Sequence, residues 1–315
     1  MILFALEKYE AMGAAFEKSL PWLKSGRARV ARYDNGELHI SLQTPVKAEH
    51  CLILGSVAPP DEQLLSALLL AHTLKKEGAA NVTALLPYLA YSRQDKDKPG
   101  QSLATAWAGL LAQASGVDQV ITVDLHSKAD QQLFAVPLLS LSSAEIFASA
   151  INEYQLQKAT IVAPDNGAID RCEEVKLAAG MSKSETPYFE KHRVETGITH
   201  VGPIGKVGSQ AVIIDDILDT GITLVSACEK LAGAGVPEIH IMVTHGLFTG
   251  TSWKELWSLG VKRIFCTDSV PLPADFDANR IVRLSVIPLV QRHLLSVRRD
   301  AQLPEKQQTA SAHNS

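Results

Sequence analysis

Cysteines are few in this sequence, and none lie close together. The 315 residues include four cysteines, Cys51, Cys172, Cys228 and Cys266, and no two of them form a CxxC pair. This spacing argues against the disulfide framework of a small secreted domain and against a structural zinc site. The cysteine content therefore favours a reducing compartment.

The sequence also lacks a hydrophobic run long enough to cross a membrane. A spanning helix needs about 20 predominantly apolar residues, and no stretch approaches that length. The apolar residues at the amino terminus meet charge at Glu7 and Lys8, which is too early for the apolar region of a signal peptide. We therefore expect a cytoplasmic protein with no membrane partner.

An excess of positive charge is absent as well. Thirty Lys and Arg residues against 34 Asp and Glu residues give a formal net charge of −4. A chain whose surface binds nucleic acid is usually basic, so we expect no nucleic-acid partner, and any anion site must be local. With 46% hydrophobic and 20% charged residues, the composition is that of a folded globular protein.

Short apolar segments alternate with longer segments of helical period, a pattern typical of a mainly parallel sheet covered by helices. The predicted strands are 51–55, 82–86, 119–123, 160–163, 211–214, 239–243 and 263–266. The predicted helices are 61–77, 103–114, 143–153 and 225–232.

Two of the apolar runs, one in each half of the chain, end abruptly in carboxylates at Asp124 and at Asp215-Asp216. This similarity suggests two related units. We predict an α/β fold of two related domains, 1–142 and 143–302, each a mainly parallel sheet flanked by helices. The polar residues 303–315 have no periodicity and are expected to form a disordered tail.

The most informative segment, 211–223, carries two adjacent acids followed by a Thr-Gly-x-Thr turn before a predicted helix. Such a turn directs backbone N–H groups to one point at a helix amino terminus, where a phosphate monoester fits. Asp215 and Asp216 would repel that phosphate unless they faced sugar hydroxyls or Mg²⁺. The segment therefore predicts a site for a phosphorylated sugar. The alternative is an acidic surface turn in which Asp219 or Thr223 caps the helix.

Three more segments, 33–37, 87–96 and 123–126, accompany this loop. Together the four resemble the ribose-phosphate diphosphokinase family, which has the type I phosphoribosyltransferase fold. The resemblance runs from about Arg32 to His293. Other transferases of that fold share the acidic loop but lack the Arg93-Gln94-Asp95 segment, so the joint occurrence is specific.

The resemblance implies transfer of the β,γ-diphosphoryl group of ATP to the anomeric hydroxyl of ribose 5-phosphate, with release of AMP. The segment 202–207 is not a GxxxxGK[ST] loop, since its spacing is wrong and it lacks the hydroxyl. ATP is expected at Tyr33, Asn35, Glu37, Arg93, Gln94 and Asp95. Ribose 5-phosphate is expected at Arg193, Asp215, Asp216, Asp219, Thr220, Gly221, Ile222 and Thr223.

The resemblance also assigns the metal and the catalytic cations. His126 and Asp165 follow predicted strands and are expected to hold Mg²⁺ that bridges ATP phosphates. Lys191 and Arg193 stand at positions i and i+2 of an extended segment, so they project to the same side. They are the catalytic pair of the family, and two cations suit a transition state whose charge is spread over phosphoryl oxygens.

Two alternatives remain at this point. A phosphoribosyltransferase would consume the same product, and a catalytically silent homologue would bind phosphoribosyl ligands without reaction. The segment 97–101 has Pro99 and Gln101 where many members carry arginines. We expect a homo-oligomer and leave its size open.

Overall fold

The computed structural model describes residues 1–127, 129–181, 184–194, 197–272, 276–277 and 279–302. The side chains of residues 191–199 and 300–302 also lie outside the described part. The predicted tail, 303–315, falls outside it entirely.

Strands and helices alternate along the chain. The first elements are β1 Ile2–Ala5, α1 Glu10–Ser19, β2 Lys24–Ser25, β3 Ala28–Arg32, β4 Leu38–Leu42, β5 His50–Leu54, α2 Glu62–Lys76, β6 Asn81–Leu85, α3 Ala104–Ala114, β7 Gln119–Val123, α4 Asp130–Leu133 and β8 Leu138–Leu141. The remaining elements are α5 Ala144–Glu153, β9 Thr160–Val162, α6 Ile169–Ala178, β10 Tyr188–Val194, β11 Gly197–Ile204, β12 Gln210–Leu218, α7 Ile222–Gly233, β13 Glu238–Gly246, β14 Val261–Thr267, β15 Ile281–Leu284 and α8 Ile287–Gln302. Two 3₁₀ helices, Asn166–Ala168 and Ser252–Leu259, follow β9 and β13.

Two parallel sheets organise the described residues. The first sheet has the strand order β2-β1-β5-β6-β7-β8, and the second has the order β15-β14-β13-β12-β9. All strand pairs within these two sheets are parallel. This arrangement confirms the predicted α/β class.

Each sheet is buried on both faces, which explains why its strands are nearly continuous apolar runs. In the first sheet, one face packs on residues of α2 and α3, including Leu70 and Ala108. The other face packs on α1 and on α8, the last helix in the described residues, through Phe16 and Val290. Helix α8, which lies near the carboxyl end of the chain, thus covers the first sheet.

The second sheet is enclosed in the same way. Residues of α7 and of the 3₁₀ helix at 252–259 cover one face, and residues of α5 and α6 cover the other. Because both sheets have helices on both faces, each presents its polar groups mainly at the strand ends. This restriction places functional groups at the carboxyl ends of the strands.

The predicted strands and helices agree with the structure to within a few residues at their ends. Two antiparallel hairpins, β3-β4 and β10-β11, add to the parallel sheets. The segment 188–193, predicted to be extended, lies in β10. None of the described helices has the length and apolar character that crossing a membrane requires. The predicted division at 142/143 stays a prediction.

Candidate functional site

Polar side chains gather where strands of the two sheets end. His126 follows β7 of the first sheet, Asp165 follows β9 of the second, and Asp215 and Asp216 lie in the carboxyl-terminal part of β12. These four residues and Asp95 line one cavity of about 840 Å³. The structure thus brings together predicted residues of the nucleotide, metal and sugar sites.

His126 and Asp216 make a direct contact between the two sheets. Nδ1 of His126 lies 2.7 Å from Oδ2 of Asp216, and the ring nitrogen is the donor because a carboxylate only accepts. The side chain of Asp216 is 8% exposed and that of His126 is 41% exposed. The hydrogen bond to Asp216 raises the pKa of His126, although burial opposes the change.

The adjacent acids of β12 have opposite ionisation tendencies. Burial raises the pKa of Asp215 well above its ordinary value, and the charge of Asp216 raises it further. Burial also acts against ionisation of Asp216, but the hydrogen bond from His126 and the charge of Arg171 outweigh it and lower the pKa. Of the two acids, Asp215 therefore holds its proton more readily than Asp216.

The turn after these acids has the geometry of an anion site. Gly221 precedes the first residue of α7 with φ +84°, and being a glycine it has no side chain to cap the helix N–H groups. Those donors and the helix dipole favour a phosphate. A Cβ at Gly221 would lie 2.7 Å from Cα and Cβ of Trp253, so only glycine fits. Thr220 and Thr223 are half-buried, while Ile222 is exposed.

Arg93 contacts the same turn. Its Nη1 lies 2.8 Å from Oδ2 of Asp219, so a residue predicted to bind ATP touches one predicted to bind the sugar phosphate. Its neighbour Gln94 accepts a hydrogen bond from the Ser102 hydroxyl. Arg93 of the predicted ATP site therefore contacts the predicted sugar-phosphate turn within a single chain.

The predicted magnesium ligands fit an ion that arrives with nucleotide phosphates. No group of three or more His, Cys, Asp or Glu side chains among the described residues could hold a metal. Mg²⁺ at such sites, however, needs only one or two protein ligands beside the phosphates. His126 and Asp165 line the same cavity, and the bond from His126 Nδ1 to a carboxylate leaves Nε2 as the nitrogen that can bind a metal. Asp165 also accepts a hydrogen bond from Gly167 N at 2.9 Å.

The predicted nucleotide turn stands apart from this cavity. Tyr33, Asn35 and Glu37 connect β3 to β4, and Oδ1 of Asn35 accepts a hydrogen bond from Glu37 N at 3.1 Å. The Tyr33 side chain is 57% exposed. Among the described residues that line the cavity, none belongs to this turn. Its role in binding ATP stays a prediction.

The predicted catalytic cations lie on the β10-β11 hairpin. The backbone of Lys191 pairs with that of His200, and Arg193 pairs with Ile198. The side chains of both cations are outside the described part of the structure. Their catalytic role therefore also stays a prediction.

Sequence reasoning did not single out Arg171. It lies on α6, lines the cavity, and its Nη2 donates to the carbonyl of Leu125 at 3.3 Å. Its charge also acts on Asp124, Asp215 and Asp216. One arginine on a helix carries no sequence signal of its own, so only the packing of α6 against the strand ends identifies it.

Two family models match this chain. The N-terminal domain of ribose phosphate pyrophosphokinase matches residues 1–116, and the phosphoribosyl synthetase-associated domain matches residues 148–301. In overall fold the chain is similar to the crystal structure of phosphoribosylpyrophosphate synthetase from Mycobacterium smegmatis. The TM-score is 0.83 at 24% identity, and the match covers 95% of this chain and 99% of that chain.

Similar sequences carry the name ribose-phosphate pyrophosphokinase. The protein of Cereibacter sphaeroides is 31% identical over 86% of this chain and 82% of its own length. That of Methanothermobacter thermautotrophicus is 31% identical over 82% of this chain and 88% of its own length. That of Bacillus caldolyticus is 29% identical over 87% of this chain and 88% of its own length. The chain therefore belongs to the ribose-phosphate pyrophosphokinase family.

Proposed function

We propose that this chain transfers the β,γ-diphosphoryl group of ATP to the anomeric hydroxyl of ribose 5-phosphate, giving 5-phosphoribosyl 1-diphosphate and AMP for nucleotide biosynthesis. The observation that carries the proposal is the contact of the two predicted substrate sites. His126 lies 2.7 Å from Asp216, and Arg93 lies 2.8 Å from Asp219. A nucleotide and a sugar phosphate bound to these residues would be neighbours.

The sugar phosphate is expected at the carboxyl end of β12. Backbone N–H groups of residues 219–223, at the amino end of α7, hold the 5-phosphate. Asp215 and Asp216 accept hydrogen bonds from the ribose hydroxyls, and Arg193 adds positive charge. This orientation directs the anomeric oxygen into the cavity that Asp95 and His126 also line.

ATP is expected on the other side of the cavity. The fork of the Arg93 guanidinium binds phosphate oxygens, while Gln94 and Asp95 offer polar partners beside it. The exposed turn with Tyr33, Asn35 and Glu37 does not line this cavity, and its donors and acceptors are assigned to the adenosine by the family resemblance alone. Mg²⁺ held by His126 and Asp165 would neutralise phosphate charge and polarise the transferred group.

The reaction is a displacement at the β-phosphorus. The anomeric oxygen forms a bond to that phosphorus, the bond from the phosphorus to the α,β-bridging oxygen breaks, and AMP leaves with that oxygen. The proton of the anomeric hydroxyl passes to solvent, and no side chain is assigned as its acceptor. Lys191 and Arg193 stabilise the charge that develops on the phosphoryl oxygens, and the site gains rate mainly by positioning and electrostatics.

In the deciding experiment, the purified protein is incubated with Mg²⁺, ribose 5-phosphate and ATP labelled at the γ-phosphorus. We expect the label in the sugar product and AMP in equal amount, with neither formed when ribose 5-phosphate is omitted. Formation of ADP would contradict diphosphoryl transfer and indicate an ordinary kinase.

Two further outcomes identify the alternatives. Release of diphosphate from 5-phosphoribosyl 1-diphosphate in the presence of a free base would indicate a phosphoribosyltransferase. Tight binding of both substrates with no turnover would indicate a non-catalytic homologue. We expect the active form to be a homo-oligomer of the cytoplasm, and light scattering after size exclusion will give its mass.

A further inference from the structure

Asp124 is a strand-end carboxylate to which the proposed reaction gives no task. It follows β7 directly, and its backbone has φ +40°. This is a left-handed conformation that is uncommon in residues other than glycine. Asp124 is half-buried and lines the cavity of the candidate site, and its carboxylate accepts hydrogen bonds from residues outside the first sheet. Such a conformation persists only where the surroundings hold it.

Three hydrogen bonds hold the carboxylate. Oδ1 accepts from Ser143 N at 3.1 Å, and Oδ2 accepts from the hydroxyls of Ser143 and Thr244. Both partners are buried, with exposed fractions of 1% for Ser143 and 0% for Thr244. Ser143 immediately precedes α5, which covers the second sheet, and Thr244 lies in β13 of that sheet.

The backbone of Asp124 is held as firmly as its side chain. Its N–H donates to Leu141 O at 3.0 Å, and its carbonyl accepts from His245 Nε2 at 3.2 Å. The His245 ring is 2% exposed and packs on Tyr88 with ring centroids 4.8 Å apart. Nδ1 of that ring lies 2.8 Å from Ser269 Oγ, so both ring nitrogens are engaged.

Leu125 connects Asp124 to His126 and is itself held by hydrogen bonds. Leu125 donates its N–H to Ser140 Oγ at 3.1 Å, and its carbonyl accepts from Arg171 at 3.3 Å. The backbone polar groups of Asp124 and Leu125 are therefore all bonded, and His126 follows with no free hinge between. Asp124 is bonded to β13, which pairs directly with β12, the strand that carries Asp216.

We infer that Asp124 is a positioning residue that joins the carboxyl end of β7 to the second sheet and thereby aims the His126 ring at Asp216. Its catalytic consequence rests on the proposed function, but its effect on the His126 ring does not. Ser143 and Thr244 engage both oxygens of the carboxylate, so the task assigned to it is to hold the loop that carries His126.

The test measures the His126 ring and catalysis in the same variants. Asp124→Ala removes the three accepted bonds, and Asp118→Ala is its matched control. Asp118 precedes the same strand at the opposite end, where its carboxylate accepts from Val82 N and Lys75 Nζ, both at 2.6 Å. Proteins labelled with ¹⁵N-histidine are examined without metal or nucleotide, and His126→Gln assigns the signal.

We expect Asp124→Ala to abolish the hydrogen-bonded Nδ1 signal of His126 and to lower kcat about 10- to 100-fold. The dissociation constant of ribose 5-phosphate, measured alone, should change less than about twofold, since the bonds lost lie outside the 219–223 turn. Asp124→Asn keeps an oxygen that can accept from Ser143 N. This variant should retain much of the His126 signal and much of kcat. Asp118→Ala should lose stability without altering the His126 signal.

An unchanged His126 signal in folded Asp124→Ala would overturn the inference, as would an equal loss of signal in Asp118→Ala. If Asp124→Ala does not fold, Thr244→Val decides, because it deletes only one of the accepted bonds. A weakened His126 signal in that variant supports the inference, and an unaltered one overturns it. If the wild-type protein forms no AMP, the proposed function fails while the ring signal still tests the role of Asp124.

Discussion

Nη1 of Arg93 lies 2.8 Å from Oδ2 of Asp219, and the two residues are 126 positions apart in the sequence. Their side chains are 55% and 28% exposed, respectively. An ion pair this exposed contributes about 0–1 kcal/mol to stability, so phosphate oxygens can replace the carboxylate on the guanidinium without a large cost. The contact is therefore compatible with both partners binding substrates.

Substitution of Arg93 should separate the two substrates. Arg93→Gln removes a charged donor to phosphate, worth about 1.5–3 kcal/mol, and should weaken ATP binding about 10- to 100-fold. Ribose 5-phosphate should bind with nearly unchanged affinity, because Asp219 keeps its backbone position. Titration calorimetry with each substrate measures both, and Lys98→Gln controls for loss of a charge on the same loop.

Lys191→Ala should affect turnover more than binding. A cation that acts on the charge of the transition state contributes mainly to kcat, and we expect a loss of about 10²- to 10³-fold. The dissociation constant of ribose 5-phosphate should remain close to the wild-type value. Lys206→Ala removes an exposed lysine after the hairpin and serves as control. Unchanged turnover in Lys191→Ala would remove this lysine from the mechanism.

Asp215→Asn should weaken ribose 5-phosphate binding more than ATP binding. The substitution replaces one carboxyl oxygen, which can accept a hydrogen bond from a ribose hydroxyl, with an NH₂ group that only donates, and the expected loss is about tenfold. Asp170→Asn changes another acid that lines the same cavity and isolates the general effect of charge. The opposite order of effects in calorimetric titrations would contradict the assignment of Asp215 to the sugar.

Alanine substitutions at two glycines with the same backbone conformation separate the cost of a steric overlap from the cost of backbone strain. Gly221 has φ +84° and Gly235 has φ +81°. A Cβ at Gly221 meets Trp253, whereas at Gly235 nothing lies within 4 Å. Alanine at either site costs about 1–2 kcal/mol for the left-handed backbone, and at Gly221 the overlap adds about 1–3 kcal/mol. Denaturant unfolding should show the difference, and only Gly221→Ala should lose ribose 5-phosphate affinity.

The contact of His126 with Asp216 predicts a pH-dependent contribution to stability in the metal-free protein. Since the pKa of His126 is raised in the folded state, the contribution is fully present below the unfolded-state pKa of about 6.5. It is lost as the pH rises through the folded-state value. The difference in melting temperature between wild type and His126→Gln should therefore be largest under mildly acidic conditions and shrink as the pH rises. A difference that grows with pH would contradict the hydrogen bond.

Local patterns were sufficient for the seven predicted strands, the four predicted helices and the turn before α7. The apolar run that ends in Asp215-Asp216 predicts a buried strand, and the glycine of the following turn predicts the helix start. Both depend on residues that are neighbours in the chain. The strands at Ile2–Ala5 and Leu138–Leu141 lay outside those predictions. Their positions depend on pairing with β5 and β7, which are separated from them by other elements of the chain.

Sequence alone thus determined the α/β class, the strand-end location of the polar groups and, by resemblance, the residues proposed for each substrate. Tertiary structure alone decided that Arg93 meets Asp219, that His126 meets Asp216, and that Thr244 binds Asp124. The last two pairs are 90 and 120 positions apart. Short-range periodicity carries no information on such distances, because they are set by how the strand ends of the two sheets meet.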